Sequence, residues 1–98
     1  MLVSGANEKQ GRAAYFGLAR VQELKGNAVA AAASYLAAAF STTPAVVDTM
    51  ALQARLFAGL NLMRAGFKED ARAQFEWLVK NSKDTALLEA ARRGLNRL

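Results

Sequence analysis

Two residue types that carry much of protein chemistry are missing from this 98-residue chain, which has no cysteine and no histidine. Without cysteine there can be no disulfide bond and no thiolate metal site. Without histidine the commonest general base and the commonest metal ligand are both absent. No glycine-rich phosphate loop and no GxSxG turn is present either. We therefore expect no catalytic residue, no metal site and no cofactor, and we do not expect an enzyme.

Residues that break regular structure are also scarce, with one proline and seven glycines. Hydrophobic residues make up 53% of the chain, and alanine supplies much of that fraction. Alanine, leucine, arginine and glutamine all favour the α-helix. A chain of this length is suited to one domain or part of one. The composition therefore predicts a single all-α domain.

The charge is unbalanced, with a net charge of +5. Arg92, Arg93 and Arg97 lie in the last turns of the final predicted helix, where cations complement the helix dipole. No basic stripe with interleaved aromatic residues is present, and this argues against nucleic-acid binding. Binding of nucleic acid through this basic C-terminal helix stays as an alternative, and salt dependence would test it.

Residues 26–47 carry no charge, and that length raises the question of a membrane span. The segment is mostly alanine, Ser34 and Ser41 interrupt it, and it runs into a threonine pair followed by Pro44. We expect a helix and a turn here and no transmembrane segment. Both the cytoplasm and the periplasm are compatible with a chain that lacks cysteine.

Start and stop signals predict five helices joined by short connections, so consecutive helices should pack antiparallel. The helices cover about residues 7–25, 27–40, 43–65, 68–81 and 84–98. Gly26 and Gly66 end the first and third helices, and Asn27 is the expected N-cap of the second. Thr43 as N-cap and Pro44 at the first helical position start the third. In the first helix, an apolar face is expected at Leu18, Val21 and Leu24.

One pattern of small and aromatic residues occurs twice, at an offset of 40 positions (66 − 26 = 40). The first copy consists of Ala19, Gly26, Ala31, Tyr35 and Ala38, and the second of Gly59, Gly66, Ala71, Phe75 and Leu78. A small residue lets two helices approach closely, a glycine ends the first helix, and a ring fills the wedge between them. A repeated helix hairpin of this kind is typical of binding scaffolds.

These residues, with the segment Ala14-Tyr15-Phe16-Gly17-Leu18-Ala19, resemble the tetratricopeptide repeat (TPR) family. Arg55 stands where the family prefers an aromatic residue, and Leu78 where it prefers alanine. The resemblance implies an α-α superhelix of tandem antiparallel helix hairpins in one domain spanning residues 1–98. It divides the chain into repeat one (about 12–45), repeat two (about 46–82) and a capping helix (about 84–98). Since about three repeats are usually needed for a stable stack, we expect a fragment of a longer array or a subunit of a larger assembly.

The first helix of each TPR hairpin lines a concave groove, so the resemblance implies which residues face a partner. In this chain they are Phe16, Arg20, Glu23, Leu56, Leu60 and Met63. Such a mostly apolar groove suits an amphipathic helix or an extended apolar segment of a partner. The alternative is that these side chains pack against neighbouring helices. One branch of the TPR family binds acidic C-terminal tails through lysines and asparagines in the groove. This chain has Phe16, Arg20 and Leu56 at those positions, so we do not expect it to bind acidic tails in that way.

The second helix differs from the fourth on its outward face. The fourth places Glu69, Asp70, Glu76 and Lys80 there, whereas the equivalent positions of the second include Val29, Ala33, Leu36 and Phe40. Because exposed apolar patches usually mark contacts, we expect an intermolecular contact at these four residues. Covering by the N-terminal residues is the alternative. Trp77 is a further interface candidate, unless it packs on the fifth helix through Leu87 or Leu88.

The expected function is therefore that of a non-catalytic scaffold or adaptor that holds a segment of another protein within a larger complex. The alanine-rich repeats also resemble bacterial cell-envelope and secretion-associated members of the TPR family. A purely architectural homo-oligomer, in which the second helix pairs with its own copy, is the remaining alternative.

Overall fold

The computed structural model describes residues 5–40 and 48–98, with side chains described from residue 11 onward. These residues form helices and no strand, which confirms the all-α class for this part of the chain. The helices are α1 (Gly5–Leu24), α2 (Ala28–Ala39), α3 (Thr49–Ala65), α4 (Lys68–Asn81) and α5 (Thr85–Arg97). Within the described ranges, no helix combines the length and the apolar character needed to cross a membrane.

The helix that ends at Ala65 begins later than expected. Asp48 has an extended backbone, with φ −105° and ψ 178°, so the helix cannot run continuously through it. The Asp48 carboxylate accepts a hydrogen bond from the Ala51 N–H at 2.9 Å, which makes Asp48 the N-cap of α3. The start expected at Thr43 and Pro44 lies outside the described residues.

The corners after α1 and α3 share one backbone geometry. Gly26 and Gly66 have φ of 81° and 92°, in the left-handed region that glycine adopts without a steric penalty. In both corners the glycine N–H donates to the carbonyl three residues earlier, and the next N–H donates to the carbonyl five residues earlier. Those bonds satisfy carbonyls at the helix end. The repeat in the sequence is therefore also a repeat in the backbone.

The residues after the two glycines also match. Asn27 has φ −89° and ψ 77°, and Phe67 has φ −87° and ψ 73°. Asn27 occupies the N-cap position of α2 as expected, but its side chain makes no capping hydrogen bond. Both α2 and α4 start from the backbone geometry of the preceding corner, without a hydrogen bond from the N-cap side chain. Phe67 can therefore occupy the N-cap position that Asn27 has in the first copy.

The core lies between consecutive helices, and α5 also packs on α3. The Phe75 side chain of α4 is fully buried. A Cβ on Gly59 of α3 would lie 2.7 Å from the Phe75 ring, and one on Gly94 of α5 would lie 2.5 Å from it. Glycine at both positions lets α3 and α5 approach the ring closely. Gly94 therefore allows α5 to approach the Phe75 ring closely, as Gly59 allows α3 to do.

Candidate functional site

The three groove residues expected from the first copy have different surroundings. Phe16 packs edge-on against the rings of Tyr35 and Phe57, with centroids 5.3 and 6.0 Å away. Arg20 is exposed. Glu23 accepts hydrogen bonds from the Tyr35 hydroxyl at 2.9 Å and from Asn61 Nδ2 at 2.8 Å. Phe16 and Glu23 therefore join α1 to α2 and α3.

The three residues expected from the second copy lie on or near the main core. Leu56 is buried in the core that holds Phe75, because α5 contributes Leu87 and Ala91 to the same core. Leu56 therefore packs inside the fold instead of facing a groove. Met63 is partly buried against this core, as is Leu60. Leu60 also lines a cavity of about 200 Å³ with Ala90, Arg93, Gly94 and Arg97.

A polar network surrounds the Glu23 carboxylate. Arg64 Nη1 lies 3.9 Å from Glu23 Oε2, and Asn61, which is fully buried, also donates to the Phe57 carbonyl at 2.9 Å. Burial raises the pKa of Tyr35, and so does its hydrogen bond to Glu23. The network holds α1, α2 and α3 together at one end of the first helix pair, and its bonds are internal ones. It is a structural feature more than a binding site.

A second polar contact joins α1 to α3 at the opposite end. Arg12 is buried, and its Nη1 and Nη2 donate to the two carboxylate oxygens of Asp48 at 3.2 and 2.8 Å. Burial alone would raise the pKa of Asp48. The hydrogen bonds from the Ala51 N–H and from Arg12, with the Arg12 charge, outweigh burial and hold that pKa below its usual range.

The apolar residues expected on the outward face of α2 are largely exposed. Val29 and Phe40 are each 55% exposed and Ala33 is exposed, whereas Leu36 is half-buried against Tyr35 and its neighbours. Their spacing of four, three and four residues places them on one face of the helix. We call these four residues the α2 patch.

The two ends of the α2 patch lie next to residues of α3. Val29 and Ala33 line a cavity of about 630 Å³ together with Arg64 and Ala65 at the end of α3. Phe40, at the other end of α2, contacts Arg55 near the start of α3. Hence α2 and α3 run in opposite directions. We call the α2 patch and its facing residues the outer groove, which comprises Val29, Ala33, Leu36, Phe40, Arg55, Arg64, Ala65 and Trp77.

Arg55 contacts two aromatic rings in the outer groove. Its guanidinium carbon is 4.5 Å from the Phe40 ring centroid and 3.8 Å from that of Trp77, and its Nη1 donates to Gln74 Oε1 at 3.2 Å. Burial lowers the pKa of Arg55. Trp77 also packs partly against the core that contains Leu87 of α5. Sequence reasoning noticed Arg55 only as a departure from the TPR pattern.

The apolar face expected on α1 at Leu18, Val21 and Leu24 is a second exposed apolar surface. Tyr15, Leu18 and Val21 are exposed, and Leu24 is 88% exposed. We call these four residues the α1 stripe. The buried face of α1 instead carries Arg12, Phe16, Ala19 and Glu23. The sequence did contain a signal for the inward face of α1. Ala19 aligns with Gly59, and small residues at equivalent positions of a repeat mark where two helices approach closely.

The described side chains contain no group of three or more acidic residues placed to hold a metal ion. No protein-family profile, curated protein or solved structure matches this chain.

Proposed function

We propose that this protein is a non-catalytic, TPR-like interaction module whose first helix pair, α1 and α2, packs against another protein within a larger complex. One observation carries the proposal. Of the eight large hydrophobic side chains exposed in the described part of the chain, six belong to α1, α2 or the residue directly after α2. The uncovered apolar surface is therefore concentrated at one end of the molecule.

The opposite end of the fold supports the proposal by contrast. The apolar residues Leu87 and Ala91 of α5 are buried, whereas Arg92 and Arg93 on the same helix are exposed. Thus α5 separates its apolar and polar faces, as a helix that meets water on one side does. The first helix pair lacks this arrangement, since the apolar residues Leu18, Val21 and Leu24 of α1 are exposed.

Burying the α1 stripe and the α2 patch on a partner would be favourable. Apolar burial contributes roughly 25 cal/mol for each Å² removed from water. The helices are already formed, so little conformational entropy opposes association. The resemblance to cell-envelope and secretion-associated TPR proteins extends the proposal to a partner within such an assembly, held through a helical or extended apolar segment.

Site-specific photo-crosslinking in the cells that make the protein tests the proposal. A photoreactive phenylalanine analogue replaces Val21 in the α1 stripe or Val29 in the α2 patch, and Arg72, exposed on α4, is the matched control position. We expect a discrete protein adduct from position 21 or 29 and none from position 72.

Other adducts would contradict the proposal in distinguishable ways. An adduct of twice the chain mass would identify a homo-oligomer in place of a separate partner. A nuclease-sensitive adduct would favour nucleic-acid binding. The absence of any adduct from positions 21 and 29 would reject an interaction at the first helix pair.

A further inference from the structure

The chemistry of the segment that occupies the outer groove can be inferred from Arg55. Its guanidinium contacts the rings of Phe40 and Trp77, and its N–H groups lie around the rim of the planar group. A guanidinium has five N–H donors, and the bond to Gln74 uses one of them. In the described structure the buried side-chain polar atoms without a partner belong to Arg12 and Asn61. The remaining Arg55 donors are therefore open to solvent.

Among the described residues, Arg55 forms no ion pair with a carboxylate. The ion pairs among the described residues join Arg12 to Asp48 and Arg64 to Glu23, and neither involves Arg55. The sequence of α2 contains no charged residue, and residues 41–47 contain no aspartate or glutamate. The chain as a whole has a net charge of +5. Charge complementarity therefore favours an acidic group on a partner that occupies the groove.

We propose that the Arg55 guanidinium is the docking point for a carboxylate of the partner, and that the occupant of the outer groove is an acidic amphipathic helix. This inference rests on the proposed function and adds to it the chemistry of the partner. Apolar side chains of the helix cover the α2 patch, and an aspartate or glutamate at one end of its apolar face meets the edge of Arg55.

The dimensions of the outer groove suit a short helix. The α2 patch runs from Val29 to Phe40 (40 − 29 = 11 residues), which is about 16 Å, or three turns, at the rise of an α-helix. The spacing of the α2 patch is that of a helix face, into which the ridges of a second helix can pack. The cavity of about 630 Å³ beside Val29 and Ala33 can accept a bulky apolar side chain at the end remote from Arg55.

The setting of Arg55 also favours tight recognition. Tryptophan and arginine are the residues most enriched where single side chains dominate binding. Contacts with two rings and the bond to Gln74 restrict the motion of the guanidinium, and a restricted fork favours a bidentate bond to a carboxylate. Its partial burial weakens solvent screening of the charge. Arg55, where the chain departs from the TPR pattern, is thus the residue that gives the outer groove its specificity.

Peptide binding tests the inference directly. The probe is a fluorescein-labelled helical peptide of about 18 residues, long enough to exceed the three-turn patch, with a leucine face flanked by glutamates. Its matched control has glutamine at every glutamate. We expect the glutamate peptide to bind the full chain, measured by anisotropy, and to shift the emission of Trp77, the only tryptophan. The glutamine peptide should bind about tenfold more weakly, as loss of a charged hydrogen bond predicts.

Variants assign the effect to Arg55. Arg55→Gln should bind the glutamate peptide about tenfold more weakly and should no longer distinguish the two peptides. Arg72→Gln removes the same charge from an exposed site on α4 and should leave both affinities unchanged. Circular dichroism verifies folding. Arg55→Lys keeps the charge without the planar fork, so it should give an intermediate affinity and provides the test if Arg55→Gln does not fold.

Several outcomes would overturn the inference. These are equal binding of the two peptides by the wild-type chain, equal losses in Arg55→Gln and Arg72→Gln, and no binding of either peptide. Self-association that Arg55→Gln abolishes would make a second copy the occupant. The proposed function fails separately, through absence of crosslinks at Val21 and Val29, so the two failures are distinguishable.

Discussion

At the residue scale, Asp48 caps α3 and pairs with Arg12 through the same carboxylate. Oδ1 accepts hydrogen bonds from the Ala51 N–H and from Arg12 Nη1, while Oδ2 accepts one from Arg12 Nη2. Because Arg12 is buried, removal of the carboxylate leaves a guanidinium without its counter-charge inside the fold. Asp48 therefore couples the start of α3 to α1, which lies 36 residues earlier.

Replacing Asp48 should separate these two roles. Asp48→Ala removes both the cap and the ion pair, and we expect a loss of about 2–3 kcal/mol in the free energy of unfolding. Asp48→Asn keeps a capping oxygen and loses only the charge, so it should cost less than Asp48→Ala. Urea denaturation at neutral pH measures both. Equal losses in the two variants would show that the cap contributes nothing.

The same pair predicts an acid-sensitive contribution to stability. The folded pKa of Asp48 lies below its unfolded value of about 3.9. Its contribution is therefore fully present above that unfolded pKa and is lost as the pH falls through the folded pKa. The stability difference between wild type and Asp48→Asn should shrink below about pH 4. A difference that stayed constant down to pH 2 would contradict this assignment.

The N-cap of α3 also shows what neighbouring residues in the sequence cannot predict. The sequence predicted a helix start at Thr43 because Pro44 suits the first helical position, and Asp48 was not identified as an N-cap. What distinguishes Asp48 is its bond to Arg12, and a window of neighbouring residues cannot detect that. The role of Arg55 was missed for the same reason, since Phe40, directly after α2, and Trp77 of α4 are both distant from it in the sequence.

At the scale of the helices, most of the architecture is determined by the residues that start or end a helix and by the small residues that allow close approach. The predicted bounds of α4, residues 68–81, are those observed, and Asp84 caps α5 through bonds to the Ala86 and Leu87 N–H groups. The orientation of α1 was harder to predict, because α1 carries apolar residues on two faces. Leu18 and Val21 have the right spacing for a core face, yet Ala19 is the residue that faces inward.

Close approach of α5 to α4 depends on Gly94. A Cβ there would lie 2.5 Å from the fully buried Phe75 ring, so Gly94→Ala must displace the ring or the helix. We expect a net loss of about 1–2 kcal/mol in thermal or urea unfolding, because overpacking exceeds the gain in helix propensity. Phe75→Leu should recover part of that loss in the double variant.

Gly17→Ala is the matched control for this close approach. Gly17 lies within α1, and a Cβ there would meet nothing within 4 Å. We therefore expect Gly17→Ala to stabilise the protein by about 0.5–1 kcal/mol through helix propensity alone. If Gly94→Ala were as stable as Gly17→Ala, the tight contact with Phe75 would be refuted.

At the scale of the whole molecule, stability is distributed unevenly. The main core joins α3, α4 and α5 through large side chains that include Leu52, Leu56, Phe75 and Leu78. The buried residues of the first helix pair are mostly alanines around Tyr35. The all-α class and the repeated corner followed from the sequence, since composition and glycine spacing are local. Which apolar surfaces stay uncovered depends on how the helices stack. An apolar face was expected on α1 at Leu18, Val21 and Leu24, but only the α2 patch was expected to form a contact surface.

Hydrogen exchange should reveal this gradient. Helix α1 packs mainly on α2 and presents the α1 stripe to solvent, whereas α3 contacts α2, α4 and α5. We expect α1 amides between Leu18 and Leu24 to exchange through an opening that costs at least about 1 kcal/mol less than the opening of α3.

Val21→Gln, at an exposed position, should leave this opening unchanged in the free protein. Ala19→Gly, at a buried one, should lower its free energy by about 1 kcal/mol, the helix-propensity cost of glycine. Equal protection of α1 and α3 would mean that the first helix pair is as firmly held as the core and has no need of a partner.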